Sequence, residues 1–303
     1  MQAHFYILAE SFQSNSNYTD LQIEEKVKRL AEDVVVLNKN STTNKLFANY
    51  NAVYPLKFHS TYTIEDFLCK PHEVKKSVDR DVVNALRNTF EKASNTSITS
   101  QEVIDTLLLW HDNEVCLGLI AFHKVEGIAE EVQLIYGIDG WYKFRRHFLG
   151  LHPHADNFID ECSKYFPNLF FHQRNKATVE SILTDFSINI LKHLGFLNDK
   201  FFTYKKRTFQ NETVKYQTLT SECNLEADAA SKDNNDAKDE LTFEFSNDEG
   251  KIESITCYPH LRLCRSDNYP GDGHYYQHRI YFHEGIATIQ NSNILIGHIG
   301  THR

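Results

Sequence analysis

The sequence contains few residues that break regular structure and no long apolar segment. Its 303 residues include only 12 Gly and 6 Pro, which excludes collagen-like and proline-rich linker architectures. The longest purely apolar run, residues 115–122, has eight residues, whereas a membrane-spanning helix needs about 20. The first residues lack a basic leader. We therefore predict a cytoplasmic protein with no signal peptide and no membrane partner.

Several signatures of cofactor chemistry are also missing. The chain has no Walker A loop and no G-x-G-x-x-G fingerprint, so kinases, nucleotide switches and dinucleotide enzymes are excluded. The G-x-S-x-G elbow of many hydrolases is absent as well. The six cysteines form no C-x-x-C pair, which favours reduced, buried thiols. We predict neither a metal site nor any other cofactor.

The net charge of −9 is concentrated in one segment. Residues 219–250 carry ten acids against two lysines, and the rest of the chain is close to neutral. Within this segment, residues 220–240 are too polar to bury enough surface to offset the entropy of ordering. We predict a flexible linker or loop at 219–240 that separates a domain at 1–218 from a domain at 241–303.

Apolar periodicity predicts an α+β protein. A mixed α/β N-terminal region with a helical second half would precede a small antiparallel β domain. The clearest predicted helices lie at 21–37, 78–93, 100–111 and 178–194. Extended segments are predicted at 4–10, 46–50, 53–62 and 115–122, and the turn at 247–250 predicts a hairpin. Two further strands are predicted at 274–282 and 294–299.

Histidine and arginine are concentrated near the end of the chain. Six of the 16 His lie at positions 260, 274, 278, 283, 298 and 302. Strand alternation places Ile280 and Phe282 in the core. The opposite face, exposed to solvent or substrate, would carry Arg279, Tyr281 and His283. On the last strand, His298 and His302 would share the face of Ile294 and Ile296.

These residue types suit phosphodiester chemistry without a metal. An imidazole or a phenol can take the proton of an RNA 2′-hydroxyl, and a second imidazole can protonate the leaving oxygen. A guanidinium can stabilise the charge that develops on the phosphorane. Three interpretations stay open: a histidine-rich surface without a role, RNA cleavage, or ligand binding without chemistry.

The last two predicted strands resemble the end of RelE/HigB-type toxins. The resemblance rests on Tyr276-x-x-Arg279-Ile280-Tyr281, a short turn, and residues 294–303, ILIGHIGTHR. It implies a bacterial toxin or antiphage protein that cleaves messenger RNA without a metal. In this comparison Arg279 is the strand arginine, and His302 with Arg303 is the terminal basic pair. The paired helices that precede the sheet in those toxins are not visible after residue 241.

A second motif is similar to the signature of HEPN ribonucleases. Arg145 and His152 are seven residues apart, so they would share one face of a helix. The alternative is a basic helix end that interacts favourably with its own dipole. We group Arg145 and His152 with Arg262 and Arg265 as candidate nucleic-acid-binding residues.

The sequence therefore supports two main hypotheses of different kinds. The first is a toxin or antiphage protein that acts on RNA by metal-independent cleavage, with catalytic candidates at Arg279, Tyr281, His283, His298, His302 and Arg303. The second is a non-catalytic sensor or scaffold of a defence complex, which binds nucleic acid or a phage protein. Expected partners are RNA or another nucleic acid and a protein of a defence or toxin–antitoxin system, and a homo-oligomer stays open.

Overall fold

A computed structural model describes residues 2–13, 18–39, 43–110, 115–125, 133–223, 227–229, 239–263 and 277–303, without the side chains at 107–110, 220, 223 and 227–229. The chain divides into two units, Met1–Phe148 and Leu149–Arg303. This division differs from the predicted boundaries at 218 and 241. The predicted arrangement of an α/β N-terminal part, a helical middle and C-terminal sheets is confirmed.

Unit 1 is built on a parallel sheet. Its strands are β1 (Gln2–Ile7), β2 (Asn44–Ala48), β3 (Ser94–Asn95), β4 (Val115–Ile120) and β5 (Leu134–Ile135). They pair in the order β3-β2-β1-β4-β5, and every pair is parallel. Parallel strands need crossover connections, and helices supply them.

Three helices of unit 1 match the segments predicted at 21–37, 78–93 and 100–111. The helices of unit 1 are α1 (Asp20–Asn38), α2 (Tyr50–Val53), α3 (Ile64–Cys69), α4 (Pro71–Val74), α5 (Arg80–Glu91), α6 (Ser100–Trp110) and α7 (Ile138–Leu151), whose last residues belong to unit 2. Thr19 and Gln22 form a capping box that begins α1. The extended segment predicted at 53–62 is wrong, because α2 ends there and a turn and loop follow.

Unit 2 combines helices with a mixed sheet. Its helices are α8 (Phe158–Tyr165), α9 (Asn175–Thr178), α10 (Glu180–Asp199), α11 (Phe201–Lys205) and α12 (Glu212–Cys223). Its strands are β6 (Leu169–Phe171), β7 (Ala227–Ala229), β8 (Thr242–Ser246), β9 (Ile252–Thr256), β10 (Pro259–Leu263), β11 (His278–His283) and β12 (Ile294–Thr301). Five of them pair in the order β6-β12-β11-β10-β7.

Pairing between β6 and β12 explains why residues 241–303 do not form a domain alone. β6 precedes the predicted boundary, yet it pairs in parallel with the last strand through Leu169↔Ile294 and Phe171↔Ile296. The predicted linker also supplies the end of α12 and all of β7, an edge strand of the same sheet. Residues 224–226 and 230–238 of that linker lie outside the described residues.

Both faces of the unit 2 sheet are covered. One face, with Ile280, Phe282 and Ile296, packs against α8, α10 and α12 in one hydrophobic core. The other face, with Tyr281 and Leu295, packs against the hairpin of β8 and β9. The hairpin is the one predicted from the turn at 247–250.

A β-bulge in β12 changes the faces of its last residues. Tyr281 lies opposite His298, but the next residue, Phe282, lies opposite Ile296, so Gly297 is the extra residue. The predicted alternation, with His298 on the face of Ile296, is therefore wrong. His298 lies on the hairpin face of the sheet, beside Tyr281.

The side chain of Asn175 forms hydrogen bonds to the backbone on both sides of the bulge. Its side-chain amide donates to the carbonyls of His172 (3.0 Å) and Ile296 (2.8 Å). Its carbonyl oxygen accepts the N–H of Ile299 at 2.7 Å. The residue is completely buried, so no water can replace these bonds.

Cysteines in the described part of both units are free thiols, as predicted. Cys116 of unit 1 and Cys257 of unit 2 are buried. Burial raises the pKa of each of these thiols to about 12. Cys69, by contrast, is exposed.

No helix in the described residues is both long and apolar enough to cross a membrane.

We expect Asn175→Ala to destabilise the protein by about 1–3 kcal/mol, because it removes the acceptor of the buried Ile299 N–H and one of the two donors to each of the His172 and Ile296 carbonyls. Urea unfolding followed by circular dichroism measures the change. Gln173→Ala, at a neighbouring exposed position, is the control and should stay within about 0.5 kcal/mol of the wild type. Equal midpoints for the two variants would contradict this account of the bulge.

Candidate functional site

Pairing in the unit 2 sheet aligns the candidate residues in two rows. One row crosses three strands through His260, Tyr281 and His298. The next row consists of Arg262 and Arg279, with Gly300 opposite Arg279 on β12. Directly opposed residues in antiparallel strands share a face, so both rows lie on the hairpin side of the sheet.

Tyr281 is buried and holds the last residue of the sequence in place. Its hydroxyl donates to the backbone oxygen of Arg303 at 3.4 Å and accepts the backbone N–H of Arg303 at 3.3 Å. A guanidinium nitrogen of Arg279 lies 3.5 Å from the hydroxyl oxygen of Tyr281. Tyr281 is only 1% exposed, because the hairpin covers it. The prediction that Tyr281 meets solvent or substrate is therefore wrong.

His298 is a buried neutral imidazole. Its Nε2 lies 3.0 Å from the carbonyl oxygen of Thr301, which can only accept, so Nε2 carries the hydrogen. The buried Nδ1 has no hydrogen-bond partner. Burial, followed by the charges of Arg303 and Arg174, lowers the pKa of His298 to about 4. A side chain at Gly300 would collide with this ring, since a Cβ there would lie 2.9 Å from Cε1.

Arg174 joins the candidate residues, although the sequence did not indicate it. It lies directly before α9, and the pairing of β6 with β12 brings it to the end of the last strand. Its guanidinium carbon is 5.4 Å from the centre of the Phe243 ring on β8. Burial and the charge of Arg303 lower the pKa of Arg174. We call Arg174, Arg262, Arg279, His298, His302 and Arg303 the basic face.

Three guanidiniums of the basic face have no ion-pair partner within the part of the chain that the structure describes. Within the described residues, no carboxylate lies within ion-pair distance of Arg174, Arg279 or Arg303. The buried Nε atoms of Arg174 and Arg279 have no hydrogen-bond partner there either. Guanidiniums held together in this way repel one another, and a bound anion would relieve that repulsion.

His302 is the exposed imidazole of this cluster. Partial burial of its ring lowers its pKa, and the charges of Arg279 and Arg262 lower it further. The carboxylate of Glu240 acts in the opposite direction. The ring is therefore neutral near pH 7 and can accept a proton.

His283 does not belong to the basic face. It lies four residues from Arg279 on β11, a separation of about 13 Å along the strand. Its Nδ1 accepts the backbone N–H of Gly285 at 3.1 Å. Burial lowers its pKa, Glu284 raises it and Lys205 lowers it. This residue is therefore separated from the phosphate chemistry that we predicted for it.

Other nucleic-acid candidates are divided between the units. Arg145 in unit 1 is 3% exposed, lies 4.4 Å from the centre of the Trp141 ring and donates to the side chain of Asn44. Its burial contradicts the prediction of a nucleic-acid contact. His152 in unit 2 is half-buried, just beyond the end of α7. Arg265 lies outside the described residues.

Among the described residues, no group of three or more His, Cys, Asp and Glu side chains is placed to hold a metal ion. Comparison with protein-family models, curated proteins and solved structures found no match to this chain. The geometry of unit 2 is therefore the main indication of function.

We expect Arg303→Gln to raise the pKa of His298 from about 4, because it removes a nearby positive charge. Titration of the imidazole signals by NMR measures this change. Inorganic phosphate added to the wild type should shift the pKa in the same direction. Arg207→Gln, which removes an exposed guanidinium paired with Glu222, is the control. An unchanged His298 pKa in Arg303→Gln would contradict the proposed electrostatics.

Proposed function

We propose that the basic face binds the sugar-phosphate backbone of RNA and cleaves it without a metal ion. One observation carries this proposal: Arg174, Arg279 and Arg303 converge at one end of the sheet without a carboxylate partner among the described residues. Guanidiniums match the geometry of phosphate oxygens and remain charged at any physiological pH. RNA is the polyanion whose own 2′-hydroxyl can attack the adjacent phosphate.

The exposed residues of the basic face can perform the proton transfer. His302 takes the proton of the 2′-hydroxyl while its oxygen forms a bond to phosphorus. The imidazolium so formed returns the proton to the leaving 5′-oxygen as the P–O bond breaks, leaving a 2′,3′-cyclic phosphate. Arg262, Arg279 and Arg303 stabilise the negative charge that develops on the phosphoryl oxygens.

The buried residues have a positioning role in this proposal. Tyr281 fixes the backbone of Arg303 through two hydrogen bonds, and it touches the guanidinium of Arg279. His298 forms a hydrogen bond to the backbone carbonyl of Thr301, directly before His302. Neither buried side chain is placed to contact substrate.

A role as a bacterial toxin or antiphage protein is proposed from the resemblance to RelE/HigB-type toxins. The arrangement of unit 2 supports that proposal. Helices α10 and α12 precede most of the sheet in the chain and pack on one of its faces, although the sequence after residue 241 showed no paired helices. An RNA-directed activity of this kind would act in the cytoplasm.

A second candidate function is binding without cleavage. The burial of Tyr281 and His298 favours it, because two of the six side chains predicted to be catalytic do not face solvent. In that case the basic face holds nucleic acid within a defence complex, and no bond breaks. The two candidates share the phosphate contacts and differ only in the proton transfer by His302.

We expect the wild-type protein to cleave single-stranded RNA equally well with and without EDTA. The variant Arg279→Ala/His302→Ala should cleave at least about 100-fold more slowly, because it loses a phosphate contact and the proton acceptor. Gel analysis of labelled RNA measures the rate. Arg207→Ala/His154→Ala, which changes two exposed residues of the same types, is the control and should cleave like the wild type.

RNA binding separates the two candidate functions. Tight, salt-dependent binding without cleavage by the wild type would favour the binding function, and Arg279→Ala should then reduce the salt dependence. Cleavage that EDTA abolishes would contradict metal independence. Cleavage that the Arg279→Ala/His302→Ala variant retains would remove the basic face as the active site.

A further inference from the structure

Unit 2 contains a cavity that the basic face does not use. Its volume is about 700 Å³, within the range of about 300–1,000 Å³ that is typical of small-molecule sites. It lies where the chain leaves β11, and it is bounded by α11, α12 and β9. His283, which is absent from the basic face, lines this cavity.

Glu284 presents a fixed carboxylate at the cavity. Its Oε1 accepts hydrogen bonds from the ammonium group of Lys215 and from the hydroxyl of Tyr216, the latter at 2.9 Å. Burial raises the pKa of Tyr216, so this hydroxyl keeps its hydrogen. The other carboxylate oxygen, Oε2, has no partner within the described residues. It is available to accept a hydrogen bond from a ligand.

The backbone around this carboxylate is also fixed. Lys205 donates to the carbonyl oxygen of Glu284 at 2.6 Å. Gly285 follows with a φ of +101°, and a Cβ there would lie 2.3 Å from the carbonyl oxygen of Ser292. Only glycine fits this turn. The acceptor is therefore held in place before any ligand arrives.

Hydrogen-bond donors line the same cavity. The Nδ1 of His283 accepts the N–H of Gly285, so the neutral ring carries its hydrogen on Nε2. Burial lowers the pKa of His283 and favours this neutral form. Lys205 and Lys215 each retain ammonium hydrogens beyond those that they donate to Glu284.

The charges of the lining residues cancel. Lys205 and Lys215 are balanced by Glu212 and Glu284, so the cavity offers no net attraction to an anion. The remaining walls include Ile255, Tyr258, Pro259 and Ile286, which are mainly apolar. A neutral, partly apolar ligand with both N–H and C=O groups matches this lining.

We propose that this cavity binds a nucleobase that has an N–H beside a ring carbonyl, as guanine and uracil have. The free oxygen of Glu284 accepts the N–H of the base, and a lysine ammonium or the Nε2–H of His283 donates to its carbonyl. Tyr258 and the aliphatic walls contact the flat ring. This site goes beyond the phosphate-binding role of the basic face and does not depend on it.

The test uses nucleosides, since their lack of phosphate avoids binding to the basic face. Guanosine and uridine should bind the wild-type protein in calorimetric titrations, and they should shift the NMR signals of the His283 ring. Adenosine, which has no ring carbonyl, and 1-methylguanosine, which lacks the ring N–H, should bind roughly tenfold more weakly or not at all. Equal binding of guanosine and 1-methylguanosine would overturn the proposal.

Two matched variants separate hydrogen bonding from charge. Glu284→Gln should weaken guanosine binding roughly tenfold or more, because it replaces the carboxylate acceptor. Glu249→Gln removes the same charge from an exposed residue of unit 2 outside the cavity and should leave affinity nearly unchanged. Equal losses in both variants would overturn the assignment to Glu284. The comparison of guanosine with 1-methylguanosine uses only the wild type and stands even if Glu284→Gln does not fold.

Short RNAs identify the source of the base. A U-free strand of adenines with one central G should bind more tightly than the all-adenine strand if the cavity takes a base from RNA, and Glu284→Gln should abolish that difference. If the two strands bind equally while guanosine binds, the ligand is a free nucleoside. Loss of RNA binding in Arg279→Ala with retained guanosine binding would show that the two sites are independent.

Discussion

Parallel pairing of β6 with β12 is the constraint on which the rest of unit 2 depends. It joins Leu169–Phe171 to Ile294–Ile296 and places α9 beside the last strand. From that position Asn175 bonds the backbone on both sides of the bulge. The same pairing brings Arg174 to the charges at the end of β12, where three guanidiniums repel one another. A sheet without β6 would lack the hydrogen bonds of Asn175 to the bulge and the positive charge of Arg174.

Much of the fold follows from local sequence patterns. The apolar run at 115–122 is strand β4, the periodic segment at 178–194 lies within α9 and α10, and the turn at 247–250 joins β8 to β9. These segments could be predicted because each buries one of its own faces or makes its own turn. β6 could not, since three residues after Pro167 carry no periodicity and its partner lies more than 100 positions away.

The predicted site is wrong in two places: where side chains were assumed to alternate strictly along β12, and where Tyr281 was assumed to be exposed to solvent. Strict alternation gave the wrong face for His298, although Gly297 inside a strand was a signal of a bulge. Tyr281 was expected to meet solvent because Ile280 and Phe282 were taken to face the only core. The hairpin builds a second core on the opposite face, and nothing in β11 itself reveals that. Clustering of Arg279, His302 and Arg303 could be predicted, since register and chain order bring them together.

The buried thiols give each unit its own chemical reporter of opening. Cys116 in unit 1 and Cys257 in unit 2 are both buried, and each has a pKa of about 12, so neither forms the reactive thiolate in the folded state. Alkylating reagents can reach them only when the surrounding strands separate. The rate of labelling at each position therefore records the local unfolding of one half of the chain independently of the other.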